Sequence, residues 1–229
     1  MKEQENTFYQ LHNISHVWSF GDSWCAGHGL QPNEDRFGDV VARYFNAPHT
    51  NTGISGSSLG HILHTFTSHC KFINKGDIVL VIVPPDIRWY DISSDNVCSS
   101  LFVGTKKYKN FVKDKSPEWF IYHHSLFIYT IISICESIGA NLVLAHNYGK
   151  LEFESNFANL IKTNYFLNKD RCLTSLLGGN TWSDNYSPSL TEDGPPGYIE
   201  GHLFLPGDTH PNQKGHCKIA QLIIDKLEG

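Results

Sequence analysis

The stretch Ile78-Val79-Leu80-Val81-Ile82-Val83 constrains this chain more than any other. A strand with one wet face alternates polar and apolar positions, and this run has no polar position at all. It is too short for a core helix, and Pro84 and Pro85 stop it. Such a run is the mark of a strand covered on both faces, as in a parallel sheet with helices above and below. Residues 141–145 (Asn-Leu-Val-Leu-Ala) repeat the pattern, and shorter apolar stretches at 16–20 and 49–52 read as further strands.

Helical periodicity fills the intervals. Phe37, Val40, Val41, Tyr44 and Phe45 recur at i, i+3, i+4, i+7 and i+8, with Pro48 as the break. Leu59, Ile62, Leu63 and Phe66 form a second stripe, capped by Ser57 or Ser58. Residues 119–138 are apolar nearly all round, with Gly139 as a C-terminal cap, and 154–165 read as another helix. His216, Ile219, Ala220, Ile223 and Leu227 mark the last helix, with Asn212 at its N-cap. Strands alternating with helices predict an α/β fold with a doubly wound parallel sheet. Residues 1–14 read as a polar extension, and 91–118 and 170–205 as loop excursions. No repeat or composition break divides the 229 residues, so one domain over 1–229 is expected.

Several function classes drop out. A net charge of −5 provides no field of Lys and Arg for nucleic acid. The one dense basic cluster, Lys106, Lys107, Lys109, Lys113 and Lys115, reads as a solvated loop. The six cysteines contain no C-x-x-C pair, which argues against a zinc ribbon or redox motif. His61 and His64 have metal-compatible spacing, but no third ligand type lies near them in sequence, so no metal is expected. No phosphate loop or dinucleotide fingerprint appears, and no cofactor is expected. The first residues lead into no signal-type apolar core. The longest apolar stretch carries His123, His124 and Glu136, against a membrane span. A cytoplasmic chain with reduced thiols is the expectation. Nothing in the sequence sets an oligomeric state.

The chemistry concentrates at the two ends. Strand one runs into Gly21-Asp22-Ser23-Trp24, followed by the bend Gly27-His28-Gly29. That delivers a serine to the C-terminal end of a strand, where open α/β sheets hold their ligands. A serine hydroxyl is a weak nucleophile and needs a base. Near the other terminus stands Gly207-Asp208-Thr209-His210-Pro211-Asn212. Residues i and i+2 of an extended segment project to one side, so Asp208 is placed to support the His210 imidazole as a general base. The same segment also reads as a surface turn that merely caps the last helix. Asp22 reads as a brace for its turn. Backbone N–H groups of Ser23 and Gly56 are candidate donors to a tetrahedral oxyanion, although Gly56 also reads as a plain turn glycine. The Gly-x-Ser-x-Gly elbow is absent around Ser23, because Cys25 occupies its last position.

Three blocks in this order, Phe20-Gly21-Asp22-Ser23, Asn51-Thr52-Gly53-Ile54-Ser55-Gly56 and Asp208-Thr209-His210-Pro211-Asn212, resemble the SGNH/GDSL hydrolases. The resemblance implies a flavodoxin-like three-layer α/β/α sandwich and a metal-free serine hydrolase cleaving short acyl esters of a small molecule or glycan. Esterase, lipase, thioesterase and carbohydrate O-deacetylase activities all fall within what it implies, and the aromatic and polar loop residues favour the short acyl ester among them. It implies Ser23 as nucleophile, His210 as base, Asp208 as its partner and Gly56 as an oxyanion donor. Some relatives transfer acyl groups on the same triad. The family's Asn after the third strand is missing, since Pro85 falls there; Arg88 and Asn147 are the candidate replacements. This departure also admits a catalytically silent carbohydrate-binding or structural module. The Asp-x-His spacing is shorter than the commoner Asp-x-x-His. Trp24, Trp89 and Trp182, with Tyr186 and Tyr198, are expected at a substrate rim.

Overall fold

The computed structural model describes residues 14–85, 88–92, 98–101, 106–148, 151–177, 203 and 210–229, with backbone alone at 91–92 and 98–101. In chain order the elements are β1 (Val17–Phe20), α1 (Ser23–Ala26), α2 (Phe37–Tyr44), β2 (His49–Asn51), α3 (Leu59–His69) and β3 (Ile78–Val83). There follow β4 (Trp89–Ile92), β5 (Cys98–Leu101), α4 (Lys106–Val112), α5 (Pro117–Ile138) and β6 (Asn141–His146). The chain closes with α6 (Ser155–Ala158), α7 (Leu173–Leu176) and α8 (Gln213–Glu228).

Four strands form one parallel sheet in the order β2-β1-β3-β6. Ser19 of β1 is in register with Asn51 and Leu80, and Val81 with Leu144. The two-residue period of a strand divides β3 between two cores. Val79, Val81 and Val83 pack with Phe20, Leu59, Phe66 and Ile128 under α3 and α5. Ile78, Leu80 and Ile82 pack with Val17, Phe37, Val41 and Ile219 under α2 and α8. A three-layer α/β/α sandwich with a central parallel sheet follows, and the unbroken apolar run of β3 is its cause.

Local signals set the helix ends. Ser58 Oγ accepts the His61 N–H at 3.3 Å and so caps α3, while Ser116 does the same for α5 with Pro117 in the first turn. Gly139 ends α5 in the left-handed region at φ 80°. Asn212 Oδ1 accepts the Gly215 N–H at 3.0 Å at the start of α8. A Cβ at Gly215 would collide with the Leu203 carbonyl, so only glycine admits that approach.

Three expectations change. Residues 91–118 are not irregular throughout: β4 and β5 pair as an antiparallel ribbon outside the main sheet, and α4 follows. A cluster of aromatic rings on α5 anchors the ribbon, a tertiary cause that local sequence does not carry. Lys106, Lys107 and Lys109 accordingly lie exposed on α4, not on a loop. Residues 154–165 break into α6 and a 3₁₀ turn at Thr163–Tyr165, because the chain must return beside β6, where Leu167 N–H donates to the Leu144 carbonyl at 2.7 Å. Among the described residues no helix is long and apolar enough to cross a membrane.

All four strands run the same way, so the segments after β1, β2, β3 and β6 emerge at one edge. Residues 21–23, 52–56, 84–85, 88 and 147–148 meet there.

Candidate active site

Gly21 turns the chain off β1 at a point no side chain fits: a Cβ there would lie 2.6 Å from Cys25 Cβ. Asp22 then caps the single turn of α1, its Oδ1 accepting the Trp24 N–H at 3.1 Å. Ser23 opens that turn, 6% exposed. His210 Nε2 lies 2.7 Å from Ser23 Oγ across 187 residues of sequence. A base at this distance accepts the hydroxyl proton as the oxygen attacks, and returns it to a leaving group. Asp208 and Trp182 lie outside the described residues, as do Tyr186 and Tyr198.

The segment after β2 lies against α1. Ile54 N–H donates to the Gly21 carbonyl at 3.1 Å, and a Cβ at Gly53 would stand 2.6 Å from the Ala26 nitrogen. Asn51 ties the two together: its Oδ1 accepts the Gly53 N–H at 2.8 Å and its Nδ2 donates to the Cys25 carbonyl at 2.7 Å. Gly56 follows in this turn at φ 79°, a conformation that favours glycine. Ile54 is 49% exposed at the same edge. The bracing role of Asn51 went unread in the sequence; its position just before a Gly-rich turn is the signal that a side-chain amide is needed there.

The two residues expected as replacements for the missing Asn, Arg88 and Asn147, both bond to Asp22. Its carboxylate is fully buried, and Arg88 Nη1 donates to Oδ2 at 2.5 Å while Asn147 Nδ2 donates to the same atom at 2.8 Å. A buried carboxylate needs such partners, since an unpaired charge there is costly. Arg88 is held on both sides. Its N–H donates to the Pro85 carbonyl at 3.1 Å, and the next residue, Trp89, is locked among aromatic rings. His124 adds a contact from α5, with Nε2 3.3 Å from the Pro84 carbonyl. The Arg88 side chain is 26% exposed, whereas Asn147 is 0% exposed. Asn147, expected as an alternative oxyanion donor, thus directs its amide to Asp22 from within the fold.

Two rim expectations are corrected. Trp24 is 0% exposed, its indole N–H donating to Tyr148 Oη at 2.9 Å. Trp89 is 8% exposed and packs against Phe111, Trp119, Phe120, His123 and Phe127. Both bury large apolar area, worth a few kcal/mol each at about 25 cal/mol per Å². Neither side chain lines an open rim. Cys25 is inert by the same logic: burial, reinforced by the Asp22 charge, pushes its thiol far above the usual range.

A second serine–histidine–carboxylate line lies four residues upstream. His49 Nε2 is 2.8 Å from Ser19 Oγ, and Nδ1 is 2.7 Å from Asp39 Oδ1. Burial pushes the Asp39 carboxyl up, but hydrogen bonds from Arg36 and His49 outweigh it and hold it down at about 2. Burial pulls His49 below its ordinary value despite the facing carboxylate. Ser19 is 0% exposed. Gly38 closes the arrangement from above, since a Cβ there would collide with the His49 ring and lie 2.5 Å from Ser19 Oγ. No substrate reaches it. Sequence reading missed this group entirely, because its three residues share no motif. Among the described residues no cluster of three His, Cys, Asp or Glu side chains is placed to hold a metal ion.

No protein-family model and no curated protein matches this sequence. Solved structures do match its fold. A G-D-S-L family protein from Desulfitobacterium hafniense DCB-2 superposes with a TM-score of 0.53 at 16% identity, over 93% of this chain and 99% of the other. The psychrotrophic esterase EstA from Pseudoalteromonas sp., inhibited by monoethylphosphonate, gives 0.51 at 12% identity, over 93% and 97%. TesA gives 0.52 at 10% identity, over 93% and 98%. The shared architecture covers 93% of this chain in each case, and the chain has the fold of the SGNH/GDSL hydrolases.

Proposed function

We propose that this chain, on the SGNH/GDSL hydrolase fold, is a serine hydrolase of short acyl esters that works through an acyl-enzyme at Ser23. One observation carries the reading: His210 Nε2 lies 2.7 Å from a serine hydroxyl at the C-terminal end of a central strand. Ser23 Oγ attacks the ester carbonyl while His210 takes its proton. The tetrahedral intermediate collapses as His210 gives that proton to the departing alcohol. Water, deprotonated by the same imidazole, then attacks the acyl carbon, and Ser23 leaves with the proton returned. Asp208, two residues before the base, is the proposed partner of the second ring nitrogen. Backbone N–H groups of Ser23 and Gly56 are the proposed oxyanion donors.

Arg88 is our candidate for the third donor, in place of the family's Asn. Supporting it are its anchorage on the carboxylate next to Ser23 and the part of its side chain left exposed. A guanidinium held in place needs no reorganisation as charge develops, and a charge-assisted bond is about twice as strong as a neutral one. The glycan alcohol loses two of its three tryptophan supports with the burial of Trp24 and Trp89. Small acyl esters are therefore favoured.

A fluorophosphonate probe tests the reading. The expected result is one label per chain, at Ser23, with p-nitrophenyl acetate turnover lost in step. An unlabelled, folded protein would instead support a silent module that keeps only the fold, the reading that Pro85 motivates.

A further inference from the structure

The bend after α1 carries an imidazole that the proposed chemistry leaves unused. Gly27 (φ 77°) and Gly29 (φ 82°) turn the chain back, and His28 between them is exposed. Its N–H donates to the Ser23 carbonyl at 2.9 Å, so residue 28 is tied to the residue that bears the hydroxyl. Its ring packs on His210, with centroids 4.5 Å apart and planes inclined at 45°. One residue thus touches both halves of the Ser23–His210 pair, by main chain on one side and by ring on the other. The bend is itself braced. A Cβ at Gly27 would stand 2.6 Å from Arg36 Cγ, and Arg36 Nε is held by Asp39 at 2.8 Å.

The exposure of His28 is informative. A buried ring beside His210 would be accounted for by core packing, whereas an exposed imidazole gains little from burial. His210 also arrives from a segment 187 residues away. Within the stretch that orients Ser23, His28 reaches the base as well, through its ring. Displacing an acid–base group by about an ångström costs up to about 10²-fold in rate, so a contact that registers the base against the hydroxyl has a direct kinetic effect. We infer that His28 is a positioning residue for this reaction, its ring forming one wall of the slot in which the His210 imidazole lies. The inference rests on the hydrolase reading of Ser23 and His210.

His28→Ala and His28→Phe test it with p-nitrophenyl acetate. In His28→Ala, kcat falls about three- to tenfold, the range of a lost ring–ring contact, while KM stays within about twofold. His28→Phe keeps a ring without a titratable nitrogen and returns kcat to within about twofold of the parent. An unchanged kcat in His28→Ala overturns the inference, and so does a His28→Phe variant as slow as His28→Ala. Fluorophosphonate labelling separates the two levels. A parent labelled at Ser23 with an indifferent His28→Ala removes the positioning role alone; a parent with no label removes the hydrolase reading and this role together.

Discussion

Ser19 and Ser23 sit four residues apart at the end of the same strand, and each has a histidine nitrogen within 2.8 Å. In the Ser19 arrangement Asp39 stands behind the imidazole at 2.7 Å. Yet Ser19 lies inside the sheet–helix layer beneath Gly38, while Ser23 has left the strand and opens a one-turn helix at its edge. Hydrogen-bond geometry alone does not make a nucleophile. Access for an acyl carbon, room for a tetrahedral oxygen and donors aimed at it do, and those are what the proposed role of Ser23 requires of the strand edge. The sealed group instead pins α2 to β1 and β2, where buried polar atoms need partners in any case.

The strongest way to break this contrast is to exchange the roles. Ser23→Ala is expected to lower kcat/KM for p-nitrophenyl acetate by at least about 10⁴-fold, with Ser19→Ala within about threefold of the parent. Turnover that survives Ser23→Ala, or dies with Ser19→Ala, reverses the assignment.

The two arginines extend the comparison. Arg88 pairs with Asp22 beside Ser23, and Arg36 pairs with Asp39 in the sealed group. Arg88→Gln is expected to lower kcat by about 10²–10³-fold with little change in KM, and Arg88→Lys to recover part of it. Because loss of Arg88 strands the buried Asp22 charge, the paired variant Asp22→Asn/Arg88→Gln is measured alongside. Arg36→Gln leaves kcat within about threefold and lowers the urea midpoint. Equal kinetic effects from the two arginines would erase the distinction.

A third measurement uses pH. Burial pushes His216 down to about 4, with its Nδ1 accepting the Phe37 N–H at 3.2 Å and its ring stacked on Phe37. Its folded value is below the unfolded ~6.5. The stability it contributes is therefore present above pH ~6.5 and lost as pH falls toward 4. The loss is up to about 3 kcal/mol, read from urea titrations between pH 7.5 and 3.5. His216→Gln flattens that dependence. A parent whose stability does not change over this range contradicts the buried neutral ring.

The smallest effect belongs to Ser19→Ala in stability. Removing one partner of a buried pair costs about 1–2 kcal/mol, seen as a shift in the denaturation midpoint. A larger loss would mean that the sealed group holds more of the sheet than its hydrogen bonds indicate.

Much of this was legible in the sequence. The apolar run of β3 and the stripes on α2, α3 and α8 depend on period and burial alone, and both are written locally. Capping at Ser58 and Asn212 was equally readable. The Gly-Asp-Ser block could be placed at a strand end for the same reason. What failed was anything decided by packing. Trp24 and Trp89 read as rim residues because aromatics beside polar loops look exposed, and the structure folds both into cores. That the Asn147 amide bonds to Asp22 was likewise beyond local reading.

The order of polar and apolar residues determined, without any coordinates, that this chain builds a covered parallel sheet and ends one strand on a serine. Local periodicity suffices for that, since each element's buried face is set by residues a few positions apart. Which of two serines meets an open histidine, which arginine closes on Asp22, and that His28 lies over His210 were decided only in three dimensions. Those contacts join residues from 66 to 187 positions apart or across a bend, and their geometry exists only once the strands have stacked side by side.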